Sequence, residues 1–310
     1  ANTIRIPGET MCDDLTVQAN EEFLAQKDTE QGGEKSGISR RTFGQLSAGA
    51  AALAMLPPVA NAQEVVEQDV KVPMGGGEMS DCYFVHPASG QHPAIVFWPD
   101  IMSIRPAFRE MGKRLAQSGY SVLVVNPYYR TAVGRITPEG MGFNNPEIRE
   151  ILLPHARTLS PETCVLDGRD YVSWLDAQDS VDTSRKVGTA GYCMTGSYVI
   201  RMAADMPDRV GAGASFHGGG LASDSPASPH LLAGKVNAGL LIAIAQNDDE
   251  GQPEAKDILR ESFGDAGVSA EIEVYPAQHG WCPLDSYVYD DVQAERAWSR
   301  MLNLFETELA

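Results

Sequence analysis

The sequence predicts an α/β fold: a mostly parallel sheet with helices on both faces and a small cap-like excursion. Two observations carry this. After Gln63, short β-rich apolar runs alternate with stretches of helical period. Several of those runs are apolar without a break, as strands buried on both faces must be. Repeated strand–helix–strand order then implies parallel neighbours joined by crossover helices.

In chain order, Cys82–Val85 reads as the first strand, followed by a turn over His86–Gln91. Ala94–Trp98 is a fully apolar strand. Pro106–Ser118 has helical period, with Phe108, Met111 and Leu115 on one face, and Gly119 stops it. Ser121–Val125 is the next buried strand. Thr131–Thr158 lacks a clear period and carries Gly, Pro and Asn, which suits a cap over a pocket. Pro161–Asp179 forms a helix, and Lys186–Gly191 a short strand. Then come helix Thr195–Asp205, strands Gly211–Phe216 and Leu240–Ala245, helix Pro253–Gly264, strand Glu271–Tyr275 and helix Asp290–Leu309. No internal repeat or linker follows Gln63, so residues 63–310 form one domain. Ligands of such sheets bind beyond the carboxyl ends of the strands.

Residues 1–62 read as an address. Ser39-Arg40-Arg41-Thr42-Phe43 sets paired arginines before an alanine- and leucine-rich run, Ala48–Leu56. Pro57-Pro58 break the run, and Ala60-Asn61-Ala62 offers a small-x-small cleavage site. The run is too short to span a bilayer. The pattern is that of a twin-arginine export signal cleaved near Ala62, with the periplasm as destination. An alanine-rich helix with two surface arginines is the competing reading. Residues 12–37 are polar and are expected to be disordered. Met11 is a candidate initiation residue.

The formal net charge of −18 disfavours nucleic acid and anionic membrane as partners. The five cysteines, Cys12, Cys82, Cys164, Cys193 and Cys282, have no regular spacing, so no disulfide framework is expected. His279 and Cys282 have the spacing of half a zinc site, but no second pair matches. Neither a metal nor a cofactor is expected. The oligomeric state is not legible.

The chemistry centres on Gly191-Tyr192-Cys193-Met194-Thr195-Gly196, between a strand and a helix. A tight strand-to-helix turn puts its apical residue at the sheet's active edge and needs small neighbours. Cys193 at a helix N-terminus is biased toward thiolate, and the N–H of Met194 faces a developing oxyanion. Gly191 satisfies the small-neighbour rule. Thr195 breaks it, so the turn is expected to open slightly. A buried structural cysteine is the alternative. Asp248 ends a strand and His279 follows the last one; Cys, Asp, His is the chain order of the α/β-hydrolase fold. Histidine then takes the proton and the carboxylate fixes its tautomer. Asp249 is the second choice for the acid. Of the other histidines, His217 ends a strand before Gly218-Gly219-Gly220 and lines the pocket without being the base.

From Gln63 to Ala310 the chain resembles the dienelactone hydrolase family, through Gly191-Tyr192-Cys193, Asp248 and His279. That resemblance implies hydrolysis of small-molecule esters or lactones through a cysteinyl acyl-enzyme. It maps the family's thiol-modulating glutamate to Asp100 and its second oxyanion donor to the N–H of Ile101. It maps the carboxylate-binding arginine to Arg130, in Asn126-Pro127-Tyr128-Tyr129-Arg130. Tyr192 and Trp281 join Arg130 as candidate substrate contacts. Thioester or phosphotriester hydrolysis in the same pocket is the second reading. A thiol redox or sensing protein with a Cys193–Cys282 disulfide is the third, and an inactive binding module the fourth.

Overall fold

The computed structural model describes residues 14–30 and 56–310. Eight strands form one sheet in the order β1-β2-β4-β3-β5-β6-β7-β8. They are β1 (Val65–Pro73), β2 (Met79–Pro87), β3 (Ala94–Trp98), β4 (Ser121–Val124), β5 (Val187–Tyr192), β6 (Val210–Phe216), β7 (Gly239–Ala245) and β8 (Ala270–Tyr275). β1 and β2 pair antiparallel, β2 joins β4 antiparallel, and the rest of the sheet is parallel. The strands from β3 through β7 are buried at every residue, which is why their sequences read as unbroken apolar or small-residue runs.

The helices are α1 (Asp14–Glu30), α2 (Pro106–Gln117), α3 (Pro146–Ala156), α4 (Pro161–Asp176), α5 (Gly196–Asp205), α6 (Gln246–Gly251), α7 (Ala255–Asp265) and α8 (Asp291–Glu308). One sheet face is covered by α4, α5 and α7 through Tyr171, Leu175, Val199, Met202, Leu259 and Phe263. The other is covered by α2 and α8 through Phe108, Leu115, Trp298, Met301 and Phe305. Each such fully buried side chain contributes about 1.5–3 kcal/mol. The expected helix start at Pro106 holds, with proline at the first turn, where its missing N–H costs nothing.

Three departures from the expected elements matter. β1 was not anticipated: it is an edge strand with only Val72 buried, so it carries almost no apolar signal. The excursion after Thr131 contains α3, whose Ile148 and Leu152 pack with Ile101, Met102, Tyr128 and Cys193 in a third, smaller core. Asn145 caps α3 by accepting the N–H of Glu147 at 2.9 Å. The third departure corrects part of the expectation of disorder for residues 12–37, of which 14–30 are described. Asp14–Glu30 is an α-helix with Val17 and Asn20 buried against the domain. Its composition is polar, but two inward residues suffice to seat it. The paired arginines and most of the apolar run proposed as a signal lie outside the described residues.

Candidate active site

β5 ends at Tyr192, a single 3-10 turn spans Cys193–Thr195, and α5 begins at Gly196. Cys193 has φ of 55°, a left-handed conformation that is strained for a side-chain-bearing residue. The turn is tight. A Cβ at Gly191 would lie 2.3 Å from the Thr195 carbonyl oxygen, and one at Gly196 would lie 2.4 Å from Gly218 Cα. Thr195 does not open it, contrary to expectation. Its hydroxyl accepts the N–H of Tyr192 at 3.0 Å and lies within hydrogen-bond reach of the Pro99 and Trp98 carbonyls, at 2.9 and 3.1 Å. The hydroxyl therefore latches the Cys193 turn to the end of β3. The loop after β3 presents Ile101. Tyr128 Oη donates to the Ile101 carbonyl at 3.0 Å and fixes that loop beside Met194, with which Ile101 shares the small core.

His279 follows β8, and its Nδ1 lies 2.8 and 3.0 Å from the two oxygens of Asp248, in the first turn of α6. Donation from Nδ1 leaves Nε2 for Cys193, with which the ring also interacts. Burial works against a charged imidazole here, but the carboxylate of Asp248 and the sulfur of Cys193 outweigh it and hold the His279 pKa well above the ordinary value. Asp249, the second choice, is taken by Lys256 at 2.7 Å.

Asp100 lines the same cavity as Cys193, but it does not stand alone. Arg105 grips it at 2.6 and 3.0 Å and grips Asp285 at 2.7 and 2.9 Å. Burial pushes the Asp100 carboxyl up, Arg105 pulls it back, and Cys193 and Asp285 push it further up. Asp100 also accepts the N–H of Met102 at 2.9 Å. Arg105 was not singled out from sequence, although it stands just past the carboxyl end of β3, where ligands gather.

Three expected substrate contacts are corrected. Arg130 is not among the residues lining the cavity. Its guanidinium forks onto buried Asp167 of α4 at 2.6 and 2.9 Å and stacks on Tyr129. Tyr192 stacks on Phe216 inside the core, because as the last residue of β5 its side chain points to the α2/α8 face. Trp281 is fully buried and stacks on Tyr275. Cys282 is a free thiol in that same core, whereas Cys193 belongs to the smaller one, and the two form no disulfide. Among the described residues no group of three or more His, Cys, Asp and Glu side chains could hold a metal ion.

The cavity encloses about 70 Å³. Cys193, His217 and His279 lie in its wall with Asp100 and Arg105, and Met141 and Phe143 of the excursion close one side. Helix α1 closes another through Thr16, Val17 and Asn20. Asn20 Nδ2 donates to the His279 carbonyl at 3.1 Å and to Tyr287 Oη at 2.9 Å. Its Oδ1 accepts from Asn247 Nδ2 at 3.0 Å, and Asn247 Oδ1 accepts the His279 N–H at 2.8 Å. The cover is thus bonded to the backbone of the histidine it covers.

A sheet of this order, with a strained residue at a strand-to-helix turn and a carboxylate–histidine pair on the following loops, defines an α/β-hydrolase. The family model described as the dienelactone hydrolase family matches residues 80–309, and the chain belongs to that family. It is a hydrolase of dienelactone hydrolase type. A protein of Synechocystis sp. with the provisional name carboxymethylenebutenolidase is 27% identical over 235 residues, 73% of this chain and 91% of that one. A Klebsiella pneumoniae crystal structure, described provisionally as a dienelactone hydrolase, aligns with a TM-score of 0.67 at 23% identity, covering 79% of this chain and 99% of that one. The dienelactone hydrolase-like promiscuous phosphotriesterase P91 from metagenomic libraries aligns with a TM-score of 0.61 at 21% identity, covering 79% and 99%.

Proposed function

We propose that the protein hydrolyses carboxylic esters or lactones through a Cys193–His279–Asp248 triad and a cysteinyl acyl-enzyme. The Asp248–His279 contact at 2.8 Å, with His279 in one cavity wall with the strained Cys193, carries this reading. The Cys193 thiolate attacks the ester carbonyl carbon, and the oxyanion forms between the N–H groups of Met194 and Ile101. The tetrahedral species collapses, the C–O bond breaks, and protonated His279 gives its Nε2 proton to the departing alkoxide. Water then attacks the thioester, His279 takes its proton, and collapse releases the carboxylic acid and restores the thiolate with protonated His279. Asp248 fixes the imidazole throughout.

Arg105, which lines the cavity with Cys193, is already shared by two carboxylates, so neutral esters and lactones come first in a substrate panel. Thioesters and phosphotriesters belong in the same panel. Cys193→Ala is expected to abolish ester turnover and leave the fold intact. Residual turnover within about tenfold of wild type, roughly 1.4 kcal/mol of barrier, defeats the nucleophile. The protein also carries the sequence pattern of an exported, periplasmic enzyme, with the segment Ser39–Ala62 as its signal. A reporter fused to residues 11–63 should leave the cytoplasm, and Arg40→Lys with Arg41→Lys should block that. Equal export of both fusions would remove the twin-arginine reading.

A further inference from the structure

His217 stands at the end of β6 with φ of 39°, a second strained side-chain-bearing residue in the cavity wall. Its N–H donates to the Ala243 carbonyl at 2.8 Å, which anchors the backbone. The loop it opens is pinned to the nucleophile helix, since Gly196 and Gly218 approach too closely to admit a Cβ. The imidazole is fully buried and set edge-on to His279 and to Trp281, each with 5.1 Å between ring centroids. Neither ring nitrogen has a hydrogen-bond partner of good geometry. Buried polar atoms left so are uncommon and call for a reason.

The groups facing the ring supply one. Cys193 and His279 share the cavity wall with it, Asp248 lies behind His279, and Asp100, Arg105 and Asp285 line the same cavity. The Cys193 sulfur interacts with both imidazoles. Burial, helped by the charge on His279, holds His217 below the ordinary imidazole range against the pull of Cys193 and Asp248. The two rings are therefore set apart by environment: His279 is paired with a carboxylate and has none of the neutrality imposed on His217. A neutral imidazole offers one N–H donor.

We propose that His217 is a second catalytic imidazole, which donates a ring N–H hydrogen bond to the Cys193 sulfur while His279 moves the proton. This rests on Cys193 being the nucleophile. The donor stabilises the attacking thiolate, and on collapse of the second tetrahedral species it stabilises the thiolate leaving. No proton changes hands at His217.

The test compares His217→Phe and His217→Gln with wild type in the full chain. Cys193 alkylation by iodoacetamide is followed against pH, and kcat and KM are measured on a neutral ester. The Phe variant is expected to alkylate at least fivefold more slowly at pH 7, with the pH midpoint displaced upward. Its kcat should fall at least tenfold with KM little changed. Gln, which keeps an N–H donor, should lie between Phe and wild type. If Phe does not fold, as judged by its melting transition, Ala replaces it under the same criteria. An alkylation midpoint and kcat within twofold of wild type overturn the proposal, and so does a Gln variant as impaired as Phe. Cys193→Ala separates the two ideas. Activity surviving in Cys193→Ala removes the nucleophile itself, whereas an inactive Cys193→Ala beside unaffected His217 variants removes only the role of His217.

Discussion

In the full-length chain, before any cleavage near Ala62, Asn20→Ala should open the cavity that holds Cys193 more often. Asn20 makes three hydrogen bonds, to the His279 carbonyl, Tyr287 Oη and Asn247, and all are lost in the variant. At about 0.5–1.5 kcal/mol net per bond, and with the freed partners rehydrated once the helix lifts, the seating of α1 weakens by about 2 kcal/mol. That raises the uncovered population roughly thirtyfold, since 1.4 kcal/mol is about a factor of ten. Val17 still anchors the helix through its buried side chain, so α1 remains seated most of the time. The assay is the alkylation rate of Cys193 by a small reagent, iodoacetamide, and by a bulky maleimide. Helix α1 forms one side of the cavity that holds Cys193, so a bulky reagent gains more than a small one when the cover lifts. The maleimide rate should rise tenfold or more in Asn20→Ala, and the iodoacetamide rate by less. If both reagents react with the variant as they do with wild type, α1 does not gate the site. If both slow, α1 supports the surroundings of Cys193 instead of covering them.

Thr195→Val keeps the shape of the side chain but strands the buried Tyr192 N–H and the β3 carbonyls. It should cost about 1–3 kcal/mol, seen as a fall in melting temperature together with lower kcat; an unchanged melt refutes the latch. Asp100→Asn removes a negative charge that opposes the Cys193 thiolate while keeping an acceptor for Met102. Alkylation at neutral pH should therefore quicken, roughly tenfold if the thiol shifts by one pKa unit, and an unaltered pH profile takes Asp100 out of the site. Arg130→Met should lower stability by about 2 kcal/mol, the part-exposed pair being discounted from the full cost of stranding buried Asp167. KM for matched anionic and neutral esters should stay equal to wild type, and a loss confined to the anion would return Arg130 to the substrate. For His279 the folded pKa lies above the unfolded value near 6.5, so its pairing with Asp248 stabilises the fold fully below about that pH. The stabilisation is lost as pH rises through the folded value. Asp248→Asn should flatten that part of the curve of melting temperature against pH, and a curve of unchanged shape would contradict the pairing.

The central strands were legible because burial on both faces leaves an unbroken apolar run, as in Ala94–Trp98. The order of Cys193, Asp248 and His279 was legible because each follows a strand. β1 and α1 were not, for the same physical reason: both touch the domain through very few buried side chains, Val72 in one and Val17 with Asn20 in the other. Amide hydrogen bonds, which seat α1, have no periodic signature. Arg130 misled because its partner Asp167 lies 37 residues downstream on another element, a pairing that no local pattern reveals. Tyr192 and Trp281 misled through nearness in sequence: Tyr192, at the end of β5, points to the face opposite Cys193, and Trp281, in the loop after β8, turns into the core onto Tyr275. His217 was placed at the pocket from its position after a strand, but the surroundings of its ring nitrogens are visible only in three dimensions.

The seat of α1 spans almost the whole chain, for Asn20 and His279 are separated by 259 residues. A ribosome makes the cover first and its anchors last. Asn247, His279 and Tyr287 all emerge after the turn that holds Cys193, and the α1 contacts with His279 and Tyr287 cannot form until β8 and the loop after it are in place. Such distant contacts pay loop-closure entropy before they return any energy. Docking of α1 is therefore expected late in the folding of this chain, after the walls of the cavity around Cys193 and His279 have formed.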